Sequence, residues 1–285
     1  MNALQKISSE LRHARDVARR DDIDGRLEQI KFGTSDYGYD AFGLSKSHFR
    51  QAATAARLLY RYYFRAEVFG AHNIPPHGRV MFISNHSGQL PFDGLAIGCA
   101  AFLDAAKPRL VRSMLERYVP TMPFFSYWFA RLGQVTGTPE NCRALLQREE
   151  AILVFPEGVR GISKPYRERY QLQPFGLGFL RLALQTQTPI IPVGVVGAEE
   201  QAPAINLRRV AKLLGMPALP VVPYPPFIPI VPLPVRYRIH FGEPLRFDGD
   251  PDDDDAVIVS KVATVTAAIE ALLADGLAAR EHIFW

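Results

Sequence analysis

The feature that most restricts what this chain can fold into begins at Glu67 and continues almost to the end. Short apolar runs alternate with amphipathic stretches. The runs Val80–Ser84, Leu110–Arg112, Ile152–Phe155, Ile190–Val196 and Val235–Phe241 have the length and apolarity of buried strands. Between them Gly94–Leu103, Met122–Leu132, Glu140–Arg148 and Gly176–Gln187 read as helices, and a long helix follows the Asp252–Asp255 run. Those aspartates sit where a helix N-terminus favours negative charge, so they predict a cap rather than an acidic tail. Strand and helix alternating over residues 67–285 predict one α/β domain with a mostly parallel or mixed central sheet flanked by helices. A chain of 285 residues is long enough for two average domains or for one larger α/β domain. No internal repeat is visible.

Composition narrows the classes further. Hydrophobic residues make up 48% and charged ones 22%, which suits a packed globular protein and excludes disorder as the main state. Lys plus Arg is 33 against 29 Asp plus Glu, a net charge of +4, too even a balance for a nucleic-acid-coating protein. Two cysteines, Cys99 and Cys142, cannot make a disulfide framework, so a reducing compartment is expected. No segment runs for about 18 apolar residues without a charge or a helix breaker. The charged start MNALQKISSELRHARDVARR lacks the apolar region of a signal peptide. The expected location is the cytoplasmic side, with membrane contact, if any, peripheral.

Residues 1–66 read as a separate helical segment with the make-up of a membrane-associating one. Leu4, Ile7, Leu11 and Ala14 recur at helical spacing, a break follows through Gly33, Gly38 and Gly43, and a second helix spans about Ser45 to Ala66. Phe49, Ala53, Ala56, Tyr60 and Tyr63 share one face of it, beside a stripe of Arg50, Arg57, Arg61 and Arg65. Such a helix suits a lipid surface, with arginines meeting anionic headgroups. It equally suits an aromatic face packed on the next domain with the arginines solvated. Residues 216–234, MPALPVVPYPPFIPIVPLP, carry too many prolines for a helix or a central strand. An extended apolar loop is expected there, packed across the domain with a lipid-facing tip.

Three segments can carry chemistry. RVMFISNHSGQLPFDG places His86 and Asp93 just past the carboxyl end of a buried strand, where sites form in open α/β sheets. Histidine is suited to removing a proton near neutral pH, and a carboxylate on its other ring nitrogen sets the tautomer and stabilises the imidazolium. AILVFPEGVRG brings Glu157 and Arg160 to the same sheet edge, and TPIIPVGVVGAEE supplies another core strand.

Taken in order, these segments resemble the phospholipid/glycerol acyltransferase family, the lysophosphatidate-acyltransferase-like superfamily, over roughly residues 68–245. NHSGQLPFDG matches its first block, FPEG its third and PIIPVGV its fourth. NHSGQLPFDG and LGQVTGTPEN look closest to the monoacylglycerol/diacylglycerol-acyltransferase-like branch. The resemblance implies a glycerol-phosphate-acyltransferase-like fold and transfer of a fatty acyl group from acyl-CoA or acyl-carrier protein to a lipid hydroxyl. No cofactor or metal is implied beyond the acyl thioester. His86 and Asp93 would be catalytic, with His86 as general base. Asn85, Gly88, Glu157, Gly158 and Arg160 would contact substrate: Glu157 on the acceptor's hydroxyls, Arg160 bracing the turn or meeting an anionic headgroup, and turn N–H groups near Gly88 or Gly158 receiving the oxyanion.

The chain departs from the family pattern twice. The usual spacing leaves four residues between His and Asp; here Ser87 to Phe92 intervene. Seven helical positions rise about 10.5 Å, too far for a hydrogen bond, so Gly88 and Pro91 must make a loop that returns Asp93 to His86. Where phosphate-handling relatives carry an arginine, this chain has Val135-Thr136-Gly137-Thr138. Arg112, Arg143, Arg160 or Arg167 would have to clamp a phosphate instead, which points to a non-phosphate acceptor. The chain has no G-x-S-x-G elbow and no Walker or dinucleotide glycine pattern, and His72, His77 and the cysteines lack ligand spacing. Two other readings stay open: an inactive lipid-binding or scaffolding relative, prompted by the altered His–Asp spacing, and an acyl-ester hydrolase.

Overall fold

Five consecutive residues of Val80–Ser84 (β2) are fully buried, as happens when a strand is covered on both faces. A computed structural model describing residues 22–86, 91–117, 119, 125–203, 205–206, 220–221 and 231–284 shows β2 at the centre of a seven-stranded sheet. Ala151–Val154 (β5) and Ile190–Val196 (β6) pair with it in parallel on either side, Phe82 lying opposite Leu153 and Ile191. Val111–Leu115 (β3) and Val135–Thr136 (β4), with the helix Phe125–Arg131 (α4) between them, continue the parallel set beyond β5. On the other side Arg238–Phe241 (β9) runs antiparallel to β6, and Glu67–Phe69 (β1) closes the edge parallel to β9. The order is β1-β9-β6-β2-β5-β3-β4, a mixed, mostly parallel sheet as predicted. β1 and β4 are three and two residues long, too short to show a period in sequence.

Alternation along β2 divides the core in two. Val80 and Phe82 join the cluster under Phe92–Leu103 (α3), while Met81 and Ile83 face Pro139–Gln147 (α5), Gly178–Thr186 (α7) and Asp255–Ala278 (α8). The crossover from β2 to β3 therefore runs through α3 on one face, and that from β5 to β6 through α7 on the other. Neighbouring strands whose connections leave to opposite faces open a crevice at their carboxyl ends, here between β2 and β5.

By length and composition α8 is the one helix among the described residues able to cross a membrane. Here it buries Ile258, Val262, Val265, Ile269 and Leu273 at three- and four-residue spacing against the sheet. The aspartates before it do lie at its N-terminus, but Asp254 makes no side-chain cap. Arg181 of α7 instead donates to the carbonyl of Asp253 at 2.9 Å and to Asp255 Oδ1 at 2.7 Å.

Ile23–Leu27 (α1) and Lys46–Leu58 (α2), the latter extended by a π-helical turn through Tyr63, pack on the same core as α3. The change at residue 66 is thus one of element type; the core is shared. Phe49, Ala53, Ala56 and Tyr63 lie against that core, and Tyr60 is buried with its hydroxyl on Asp104 at 2.7 Å. The arginines are not an open cationic stripe: Arg50 pairs with Asp24, Arg61 with Asp104, and Arg65 donates to the carbonyls of Tyr63 and Pro234. Residues 1–21, including the first expected helix, lie outside the described residues.

Of the proline-rich stretch, 216–219 and 222–230 also lie outside them. Pro220–Val221 (β8) pairs with Ile205–Asn206 (β7) in a two-stranded piece separate from the main sheet, so this part is a short strand where a loop was expected. The stretch ends packed down, with Leu233 on the core and its N–H donating to the carbonyl of Gln201 at 2.7 Å.

Candidate active site

The β2/β5 crevice receives His86 two residues past β2, and Glu157 three past β5. Asp93 enters from the first turn of α3, where the unsatisfied N–H groups favour a carboxylate. Its Oδ1 accepts the Gly94 N–H at 2.7 Å, and its Oδ2 lies 2.7 Å from His86 Nδ1. Asp93 is fully buried, whereas the His86 side chain keeps 15% of its surface exposed. The longer spacing is therefore compatible with a direct pair. Residues 87–90, with Gly88, lie outside the described residues, but the two ends of that segment meet.

His86 is held on two further sides. Phe155 at the end of β5 stacks on it, ring centroids 4.0 Å apart and planes at 17°. Gly161, on the short helix Val159–Ile162 (α6), passes so close that an added Cβ would stand 2.9 Å from the His86 carbonyl oxygen and 3.0 Å from its Cβ. Those atoms belong to backbone and to the base of a side chain, so neither can swing away. Gly161→Val is expected to displace His86 and cut turnover about 100-fold while the fold persists, checked by steady-state rates beside circular dichroism. A variant at full rate would show that His86 tolerates the shift.

Several residues expected at the substrate prove to be engaged within the chain. Asn85 is fully buried, its amide donating to the Val195 carbonyl at 3.1 Å and accepting the Val195 N–H at 2.9 Å. A side chain here takes the place of main-chain pairing and pins the end of β2 to β6. Glu157 is buried as well: Oε1 accepts the His86 N–H and Oε2 the Gln173 N–H, each at 2.8 Å. This carboxylate, expected at the acceptor's hydroxyls, accepts one main-chain N–H on each oxygen, that of His86 among them. Gly158 adopts φ +56° and ψ −144°, a conformation essentially reserved to glycine, and its N–H donates to the Phe155 carbonyl at 3.0 Å. That N–H is not available to an oxyanion.

Arg160 is exposed on α6, with one guanidinium N–H on the Pro174 carbonyl at 2.7 Å, leaving most of its five donors facing out. The other arginines considered for a phosphate are occupied: buried Arg112 by Asp40 and Glu150, Arg143 by Gln185, and Arg167 by Glu168. Sequence reasoning missed Phe155 and Lys164, whose roles depend on which strands are neighbours. Gly161 does carry a local signal, since it closes the VRG turn.

Comparisons with known proteins point the same way as this geometry. The family described as Acyltransferase matches residues 65–196, a span that contains the His86, Asp93 and Glu157 turns. An uncharacterized protein of Mycobacterium tuberculosis is 34% identical over 262 residues, covering 88% of this chain and 73% of that one. The 1-acyl-sn-glycerol-3-phosphate acyltransferase alpha of Mus musculus is 30% identical over 143 residues, 47% of this chain and 46% of that protein. The crystal structure of the 1-acyl-sn-glycerophosphate acyltransferase PlsC from Thermotoga maritima shares the fold, with a TM-score of 0.53 at 15% identity over 82% of this chain and 81% of that one. The blocks met in the expected order, the sheet that gathers them and the extended match to relatives have one reading: this chain belongs to the acyltransferase family.

Proposed function

We propose that this protein transfers a fatty acyl group from an acyl thioester to a glycerolipid hydroxyl, with His86 as general base. The observation that carries the reading is the 2.7 Å contact of His86 Nδ1 with buried Asp93 at the mouth of the crevice. With Nδ1–H held by the carboxylate, Nε2 is the nitrogen left to accept a proton. In this mechanism Nε2 takes the acceptor's hydroxyl proton as the oxygen attacks the thioester carbonyl. Collapse of the tetrahedral intermediate breaks the carbon–sulfur bond, and the imidazolium returns the proton to the departing thiolate. Asp93 stabilises the imidazolium in between. No cofactor is called upon beyond the thioester, carried by CoA or by acyl-carrier protein.

The missing arginine after β4, together with the engagement of Arg112, Arg143 and Arg167, favours an acceptor without a phosphate and the monoacylglycerol/diacylglycerol-like branch. Arg160 is then an exposed cation, on the same short helix as the Gly161 that packs against His86, for whatever anionic group approaches. Peripheral contact with a membrane on the cytoplasmic side fits a lipid substrate. The exposed aromatics Tyr62, Tyr127 and Trp128 are better suited to it than the paired arginines of α2. The altered His–Asp spacing no longer argues for an inactive scaffold, because the pair is in contact.

The test is to incubate the protein and liposomes with labelled acyl-CoA or acyl-carrier protein and a panel of monoacylglycerol, diacylglycerol, lysophosphatidate and lysophospholipids, reading products by lipid mass spectrometry. A new ester on a neutral acceptor is expected. Free fatty acid released without any acceptor would replace the reading with hydrolysis, and silence with both donors would replace it with lipid binding.

A further inference from the structure

Beneath the crevice lies a buried ammonium that the proposed chemistry does not use. Lys164 sits just past α6 with its side chain 2% exposed. Its Nζ donates to Glu199 Oε1 and to the Gln171 carbonyl, each at 3.1 Å, and stands 3.4 Å from Glu157 Oε2. The ammonium thus makes two hydrogen bonds and one ion pair. Glu199 follows the end of β6, also buried, and its Oε1 accepts the Tyr170 N–H at 3.0 Å. Burial pushes the Glu199 carboxyl above the usual carboxylate range, against the pull of Lys164. A lysine at such a place is costly unless its partners are fixed. These partners tie three separate chain segments together: the turn after β5, the turn after β6, and the 170–173 strip.

We propose that Lys164 is a positioning residue for His86. It holds Glu157 in the orientation in which Oε1 receives the His86 N–H, so the ammonium fixes the main chain from which the imidazole projects; Glu199 anchors the ammonium in turn. The proposal rests on the reading of His86 as the base, and it deepens that reading by placing the control of its position on the far side of Glu157. Glu157 has no other cation within reach of its carboxylate among the described contacts.

Lys164→Met alone would leave two buried carboxylates without their cation, so the decisive variant is Lys164→Met with Glu199→Gln, which removes one of them. Expected are a single cooperative melt at a lowered temperature, a kcat lower by about 100-fold, and acceptor and thioester KM values within about threefold. Amide hydrogen exchange gives a readout free of activity. The His86 and Gln173 amides should lose protection, while Phe82 in β2 keeps its own. Glu199→Gln alone still offers an oxygen to Lys164 and should lose far less. A double variant with wild-type kcat and unchanged His86 protection overturns the proposal. If wild type acylates no acceptor, the acyl-transfer reading fails by itself, and the two amides alone decide whether Lys164 positions His86.

Discussion

His86→Ala is expected to lower acyl transfer by about 10³-fold, about 4 kcal/mol of transition-state stabilisation, with the fold intact. The imidazole is the one described group in the crevice that combines partial exposure with a buried carboxylate on its far nitrogen. Under the proposed mechanism, removing it leaves a lipid hydroxyl with no acceptor for its proton as the tetrahedral intermediate forms. Truncation also uncovers the face of Phe155, a local loss that should not unfold the chain, since the ring still packs on the α3-side core. Rates with labelled thioester, read beside a thermal melt, decide the matter. A well-folded variant with more than a tenth of wild-type rate would remove His86 from the role of base.

Asp93→Asn should cost nearly as much, about 10³-fold in kcat, for a different reason. Asparagine matches the aspartate in shape, and its amide oxygen can still accept the Gly94 N–H. Its NH₂ then faces Nδ1, and an imidazole that accepts at Nδ1 carries its proton on Nε2, the wrong tautomer for a base. Acceptor KM should move little, because Asp93 is fully buried behind the His86 ring. Nitrogen chemical shifts of the His86 ring read the tautomer directly. A variant that keeps the Nδ1–H form, or keeps its rate, would show that the carboxylate is not what orients the ring.

How far the sequence could be read differs from element to element. β2 and β6 were legible to the residue, because each is a nearly continuous apolar run, buried on both faces and bounded by turn formers. β4 was not legible: two residues carry no period, and they become a strand only because β3 offers them a ladder. The aromatic face of α2 was visible as a stripe, but whether it met lipid or protein depended on α3, which lies far along the chain. The same limit applies to its arginines. Charge is a property of the residue, while Asp24 and Asp104 reach Arg50 and Arg61 only through the fold.

Local sequence sufficed for the α/β class, the parallel core strands and the residues that gather at their carboxyl ends. These follow from periodicity, turn chemistry and block order, all local properties. Tertiary structure alone decided that His86 and Asp93 meet across a seven-residue step. It also turned Asn85 and Glu157 inward to hold the main chain, and set Lys164 between two carboxylates. Contacts between distant segments depend on strand order and register. Those are settled by packing two faces of one sheet at once, which no window of sequence contains.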